Sequence, residues 1–367
     1  MKNMTVKELI LELENLFPLA YQEHYDNSGC QIIFPQDEIK SVLLTLDVNE
    51  AVVDEAISKN CNLIISHHPI FFKPFNNIQL GQPNSNVIIK AIKNNISIYS
   101  IHTNFDTSFE GTNKILSELL QLQNISILLP AENKLKKLVT FIPHSHVEQV
   151  RFALFNAGAG HIGNYDSCSY NIEGYGTFRG NEDTNPFVGK KGVIHQEPEV
   201  RVETIFPAYK ENQIIQALLK AHPYEEVAYD IYPLSNIYQQ VGLGMIGHLS
   251  EPISKEAFLW YVKDKIKAKV IKYNNSTKNI IQKVAVCSGS GASLINKAIQ
   301  QQADAYITSD LTYHFFNDNS TNILLIDAGH YETEIHFVKK LFDIITKKNT
   351  NFAVHLSEYN INPVNYY

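Results

Sequence analysis

The chain has 367 residues, 44% of them hydrophobic and 19% charged, with a formal net charge of −7 at pH 7. Single cores rarely grow beyond about 250–300 residues, so two or more domains are expected, and the acidic balance argues against non-specific nucleic-acid binding. The four cysteines, Cys30, Cys61, Cys168 and Cys287, form no CxxC pair. That argues against a sulfur-only zinc site and suggests a reducing compartment.

Taken in chain order, Thr5 and Glu8 form a T-x-x-E capping box, and Val6, Leu9, Ile10, Leu13, Leu16 and Phe17 recur at helical spacing. This predicts an amphipathic surface helix rather than an export signal. No run approaches the ~18 apolar residues of a membrane span, so a cytoplasmic protein with no membrane partner is expected. SVLLTLDV (41–48) reads as a buried strand and 49–59 as a helix. NLIIS is the next strand and stops at His67, His68 and Pro69. A helix around 86–93, the strand ISIYS, the loop IHTNFDTS and a helix over 111–120 follow. Apolar strands alternating with helices predict βαβ units and a mostly parallel sheet, whose functional groups sit at the carboxyl ends of strands.

The middle of the chain differs. Residues 132–240 are rich in glycine, tyrosine and phenylalanine, and read as strand, helix, two strands, helix and strand. That is the ferredoxin-like order. The βα pattern returns at KVAVC (283–287), DAYITSD (304–310) and NILLIDAGH (322–330), the last opening a long helix, and NFAVHLSE is a final strand. The fold expected is α/β: a split core over 1–131 and 241–367, interrupted by an α+β insertion over 132–240.

Three clusters carry chemistry. His67 and His68 end one strand, His102 and Asp106 follow another, and His330 and Glu334 are spaced four apart, one helical turn. A double histidine can merely satisfy backbone groups, and H-x-x-x-E is a common helical pair. Together, however, all three clusters fall where strands of a parallel sheet end. Imidazole and carboxylate ligands suit zinc, iron, manganese or cobalt, and the donors exceed what one catalytic zinc usually takes. SGSGAS (288–293) lacks the third glycine of a dinucleotide fingerprint and the lysine of a P-loop, so it reads as a tight structural turn. Asp310 and His314 are candidates for supporting roles, against a plain helix-start aspartate. His161 and HPYEE (222–226) read as stabilisers of turns and packing in the insertion, with a further polar site as the alternative.

SHHPIFF, IHTNFDTS, SGSGAS, ITSDLTYH and GHYETE together resemble the motifs of the GTP cyclohydrolase 1 type 2 homologue family, the Ngg-interacting-factor-like dinuclear metal proteins. The insertion, with GAGHIGNYDSCSY and HPYEEVAYD, is similar to that of the family's longer bacterial members. Glu110, where a second glycine is usual, and Thr333, where serine is commoner, are the departures. The resemblance implies metal ligands at His67, His68, Asp106, His330 and Glu334. It also implies two divalent transition-metal ions per chain, zinc favoured, and a homo-oligomer, a hexameric ring. His102 is assigned to proton transfer or support rather than ligation. The function expected is a metal-dependent hydrolase of a nucleotide-like or other small anionic substrate. The alternative is non-enzymatic metal handling or a regulatory scaffold.

Overall fold

The computed structural model describes residues 4–75, 77–319, 321–359 and 361–367. The first third of the chain contains α1 (Val6–Leu16), β1 (Gly29–Ile32), β2 (Ser41–Thr45), α2 (Glu50–Ser58), β3 (Leu63–Ser66), α3 (Pro83–Lys93), β4 (Ser97–Ser100), α4 (Thr103–Asp106), α5 (Thr112–Leu119) and β5 (Gln123–Ala131). Thr5 and Glu8 close the capping box of α1, and the Asn49 side chain caps α2 by accepting from Val52 N at 3.0 Å. The strands hold because side chains alternate between two apolar faces. Val42, Leu44, Leu63 and Ile65 pack with Leu9 and Leu13 on one side. Leu43, Ile64 and Ile98 pack with Val52, Val53 and Ala91 on the other. Each fully buried aliphatic side chain contributes about 1.5–3 kcal/mol.

The insertion is β6 (Leu135–Pro143), α6 (Val147–Asn156), β7 (Tyr170–Phe178), β8 (His195–Pro207), α7 (Glu211–Ala221) and β9 (Tyr229–Leu234). Its sheet runs β7-β8-β6-β9 with every neighbour antiparallel, the ferredoxin-like arrangement. It has its own core, in which Leu138, Ile142 and Phe206 meet Val150 and Leu154 of α6 and Ile214 and Leu218 of α7.

The remainder contains β10 (Tyr238–Ser254), α8 (Lys255–Lys265), β11 (Lys272–Tyr273), β12 (Ile280–Val286), α9 (Ile295–Gln300), β13 (Ala305–Thr308), α10 (Tyr313–Asp318), β14 (Leu324–Asp327), α11 (His330–Glu334), α12 (His336–Lys348) and β15 (Ala353–Leu356). Two sheets result, β1-β4-β3-β2-β15 and β11-β14-β13-β12-β10-β5. The last strand pairs in parallel with β2, so the chain's final segment completes its first sheet. Contacts divide the molecule into one unit of Met1–Pro130 with Gln239–Tyr367 and another of Ala131–Tyr238.

The α/β class is as expected, in two core sheets. The long helix after NILLIDAGH is two helices, α11 and α12, with Ile335 between them. Strands β1, β5 and β10 carry no clean apolar run, and the sequence reading passed over them. Among the described residues no helix is long and apolar enough to cross a membrane.

Candidate metal centre

The three clusters sit past the carboxyl ends of parallel strands β3, β4 and β14 in the first unit, whereas His161 and residues 222–226 lie in the insertion. His67 and His68 follow β3, and the turn they make is pinned from both sides. His67 N donates to Thr45 O at 3.2 Å and His68 N to Leu46 O at 3.0 Å, while the hydroxyls of Ser66 and Ser100 donate to His68 O. With the strand ended, the two rings lie 5.1 Å apart, centre to centre, instead of on opposite faces. His102 precedes α4 and Asp106 ends it, while His330 opens α11 and Glu334 closes it.

The imidazoles share one arrangement. Nδ1 of His67 meets Ile101 O at 3.0 Å, that of His68 meets Asp47 Oδ1 at 2.8 Å, and that of His102 meets Asp26 Oδ1 at 2.8 Å. His330 Nδ1 meets Asp310 Oδ2 at 2.6 Å. Holding Nδ1 in this way sets the ring's orientation and leaves Nε2 to the centre, as in carboxylate–histidine–metal arrangements. His68 Nε2 and His330 Nε2 each stand 3.1 Å from Glu334 Oε2. His67 Nε2 stands 3.6 Å from Asp106 Oδ1 and 3.9 Å from Glu334 Oε1. Glu334 therefore turns one oxygen to His68 and His330 and the other towards His67.

These atoms are close without being hydrogen-bonded. His67 Nε2 and Glu334 Oε2 are both buried, and neither has a hydrogen-bond partner. Orphaned buried polar atoms are costly, about 1–3 kcal/mol each, and call for an explanation. In the metal-free protein protons on His68 and His330 offset Glu334, and with those protons lost the converging lone pairs suit a shared cation. Ligands about 2.0–2.1 Å from a tetrahedral zinc stand roughly 3.3 Å from each other, within the spread seen here. Two groups of donors lie close enough to hold an ion: His67 with His68 and His102, and His68 with His330 and Glu334.

Electrostatics balance the centre when it holds only protons. Burial disfavours the charged form of His68, but Asp47 and Glu334 outweigh it and lift its pKa to about 10. His330 is likewise opposed by burial and raised by Glu334 and Asp310 to about 9. Burial pushes His67 well down and Asp106 up to about 7. Glu334 is raised by burial yet held well below the carboxylate range by His330 and His68. Asp26, opposed by burial, is held low by His102, Ser28 and Thr103.

Surrounding residues complete the frame. Thr112 donates its hydroxyl to Asp106 Oδ1, and Ser288 donates to Thr112 at 2.7 Å. Gly289 has φ +63°, and a Cβ there would stand 2.2 Å from Glu334 Oε1. Its N–H donates to Thr333 Oγ1 at 3.0 Å and that of Gly291 to Thr308 Oγ1 at 2.8 Å, so both glycine amides are already engaged. Asp310 takes the supporting position at His330, whereas His314 is exposed on α10. Asp26 and Asp47 were missed. The signal available was an aspartate close to a strand end, which is too common to single out.

A cavity of about 430 Å³ opens onto the centre, with His68, His102, Asp106, His330 and Glu334 in its wall beside Ser288, Ser290 and Asn113. A second, also about 430 Å³, reaches His68 and His330 past Asp47, Asp310, Asp327 and Glu332.

Fold and site together define an α/β protein with a His/carboxylate cluster, able to hold metal, at the strand ends of its core. The family model described as Duf34/NIF3 (NGG1p interacting factor 3) matches residues 4–363, and the chain belongs to that family. A Bacillus subtilis relative named GTP cyclohydrolase 1 type 2 homolog is 38% identical over 367 residues, 99% of this chain and 98% of its own. A relative of the same name from Halalkalibacterium halodurans is 40% identical over 332 residues, covering 90% and 89%. The crystal structure of a Bacillus cereus protein related to NIF3 superposes with a TM-score of 0.88 at 38% identity, covering 100% of both chains.

Proposed function

We propose that the centre binds two divalent transition-metal ions, zinc favoured over iron, manganese and cobalt, and serves a hydrolase acting on small anionic, nucleotide-like substrates. The observation that carries this reading is Glu334, buried, with its Oε2 3.1 Å from two imidazole Nε2 atoms. In the proposal His68, His330 and Glu334 would hold one ion and His67 and Asp106 the other, with Glu334 shared between the two. Such a pair supplies Lewis acidity and an activated water at neutral pH. Two divalent ions against the carboxylates of Asp106 and Glu334 leave positive charge, which attracts an anion despite the acidic chain. His102 faces the same cavity with Nδ1 held by Asp26, leaving Nε2 free to take or give a proton. The names of the relatives point to a purine nucleotide as substrate. A homohexamer belongs to the same proposal and rests on the resemblance, and a cytoplasmic location belongs to it from the sequence, which has no membrane-length apolar run.

The acidic second cavity favours metal handling as the other reading, because it gives His68 and His330 a second approach. Elemental analysis of untagged protein, paired with a nucleotide and phosphoester panel on the same sample, tests both. Up to two tightly held ions and turnover support the hydrolase. Fast-exchanging ions without turnover support handling. Absence of bound metal after incubation with zinc overturns the centre.

A further inference from the structure

The insertion has a cavity of about 590 Å³ formed entirely within its own residues, well inside the range of small-molecule sites. Its walls are aromatic. The rings of Phe178 and Phe187 stand 6.3 and 6.1 Å from that of Tyr224, tilted at 53° and 48° rather than stacked, so they form a concave surface. Glu199, on β8, is only 7% exposed and lines the same cavity. The Tyr224 hydroxyl donates to its Oε1 at 2.8 Å, and among the described residues no donor reaches Oε2. That oxygen lies against the backbone of β7, where a Cβ at Gly176 would stand 2.1 Å from it. Glu225 and Glu226 add two carboxylates to the wall against one cation, Arg179. Glu225 is fixed there by Asn185 N at 2.8 and 3.1 Å.

A largely buried carboxylate in the wall of a cavity lined by tilted aromatic rings suits a cation with an apolar body. The carboxylate needs positive charge, and the ring faces attract a cation with an apolar body. The lining, three carboxylates against one guanidinium, disfavours phosphate-bearing ligands. We infer that the insertion binds a compact organic ammonium between Phe178, Phe187 and Tyr224, over Glu199. The Tyr224 phenol, pushed up first by burial and then by Glu199, stays a neutral donor and holds the carboxylate in place. This cavity lies in the other unit from the metal centre and selects the opposite charge.

Calorimetric titration of the full-length protein with choline, and with its uncharged carbon isostere dimethylbutanol, tests the inference. Choline should bind at least about tenfold more tightly than the isostere. Glu199→Gln should weaken choline about tenfold. Phe187→Ala, at a half-exposed ring outside the insertion's core, should also weaken it with an unchanged melting temperature. If Glu199→Gln does not fold, Phe187→Ala alone decides. No heat from choline at millimolar concentrations, equal binding of the isostere, or undiminished binding in Phe187→Ala overturns the site.

Discussion

Glu334 faces His68 and His330 with one oxygen and His67 with the other, so its loss should empty the whole centre. Glu334→Gln is expected to carry almost no metal, whereas Asp106→Ala should keep the ion held by His68 and His330; elemental analysis of both checks this. A Glu334→Gln protein with full metal content would remove the bridge. His102→Ala should retain metal, while any hydrolytic rate falls roughly 10²–10⁴-fold, the usual share of a positioned acid–base group. Metal lost with His102 would make it a ligand of the donor group it shares with His67 and His68. The protons follow from the same residues. His68 and His330 titrate near about 10 and about 9 in the metal-free protein, above the ordinary histidine value of 6.5. Their contribution to stability is therefore full below pH ~6.5 and is lost as pH rises through ~9–10. Metal uptake must expel these protons, so near neutral pH it should release up to two and strengthen as pH rises. Calorimetry in buffers of differing ionisation enthalpy counts them, and zero release would contradict ligation by these two rings.

At the scale of elements, the turn between β12 and the helix that follows is as much part of the centre as the ligands are. Gly289 adopts φ +63° with its Cα against Glu334. Gly289→Ala should cost about 1–3 kcal/mol through backbone strain and should also lower metal content, since the new methyl group meets Oε1. Thermal melts with and without metal separate the two effects, and a variant that binds metal normally would show that Glu334 has room to move. The strand-end clusters were legible because chemistry and grammar coincide there: apolar β3 stops at His67, and His330 and Glu334 share a helical face. Strands β5 and β10 were not legible. β5 has only a short apolar stretch behind polar residues and β10 is interrupted by Gly242, Gly244 and Gly247, so neither shows a strand's regular alternation, and only pairing across the sheet makes them strands.

For the molecule as a whole, the insertion packs its own core of Leu138, Ile142, Val150, Leu154, Phe206, Ile214 and Leu218. Residues 131–238 expressed alone should therefore melt cooperatively, followed by circular dichroism, and a non-cooperative transition would show that this core is insufficient. The chain without them, closed by a short linker, should still bind metal, because every proposed ligand lies in the other unit.

What the sequence determined by itself was the α/β class, the β-α-β-β-α-β order of the insertion and the residues of the three clusters. Each follows from local periodicity, or from a residue type placed where a strand must end. Tertiary structure alone decided the rest. It formed two core sheets rather than one and returned β15 to the side of β2. It also set Asp47 on His68, Asp26 on His102 and Asp310 on His330. Those partners lie 21, 76 and 20 residues from their histidines, and no local pattern spans such separations. Only the folded sheets, by bringing many strand ends to one place, set which carboxylate holds which ring.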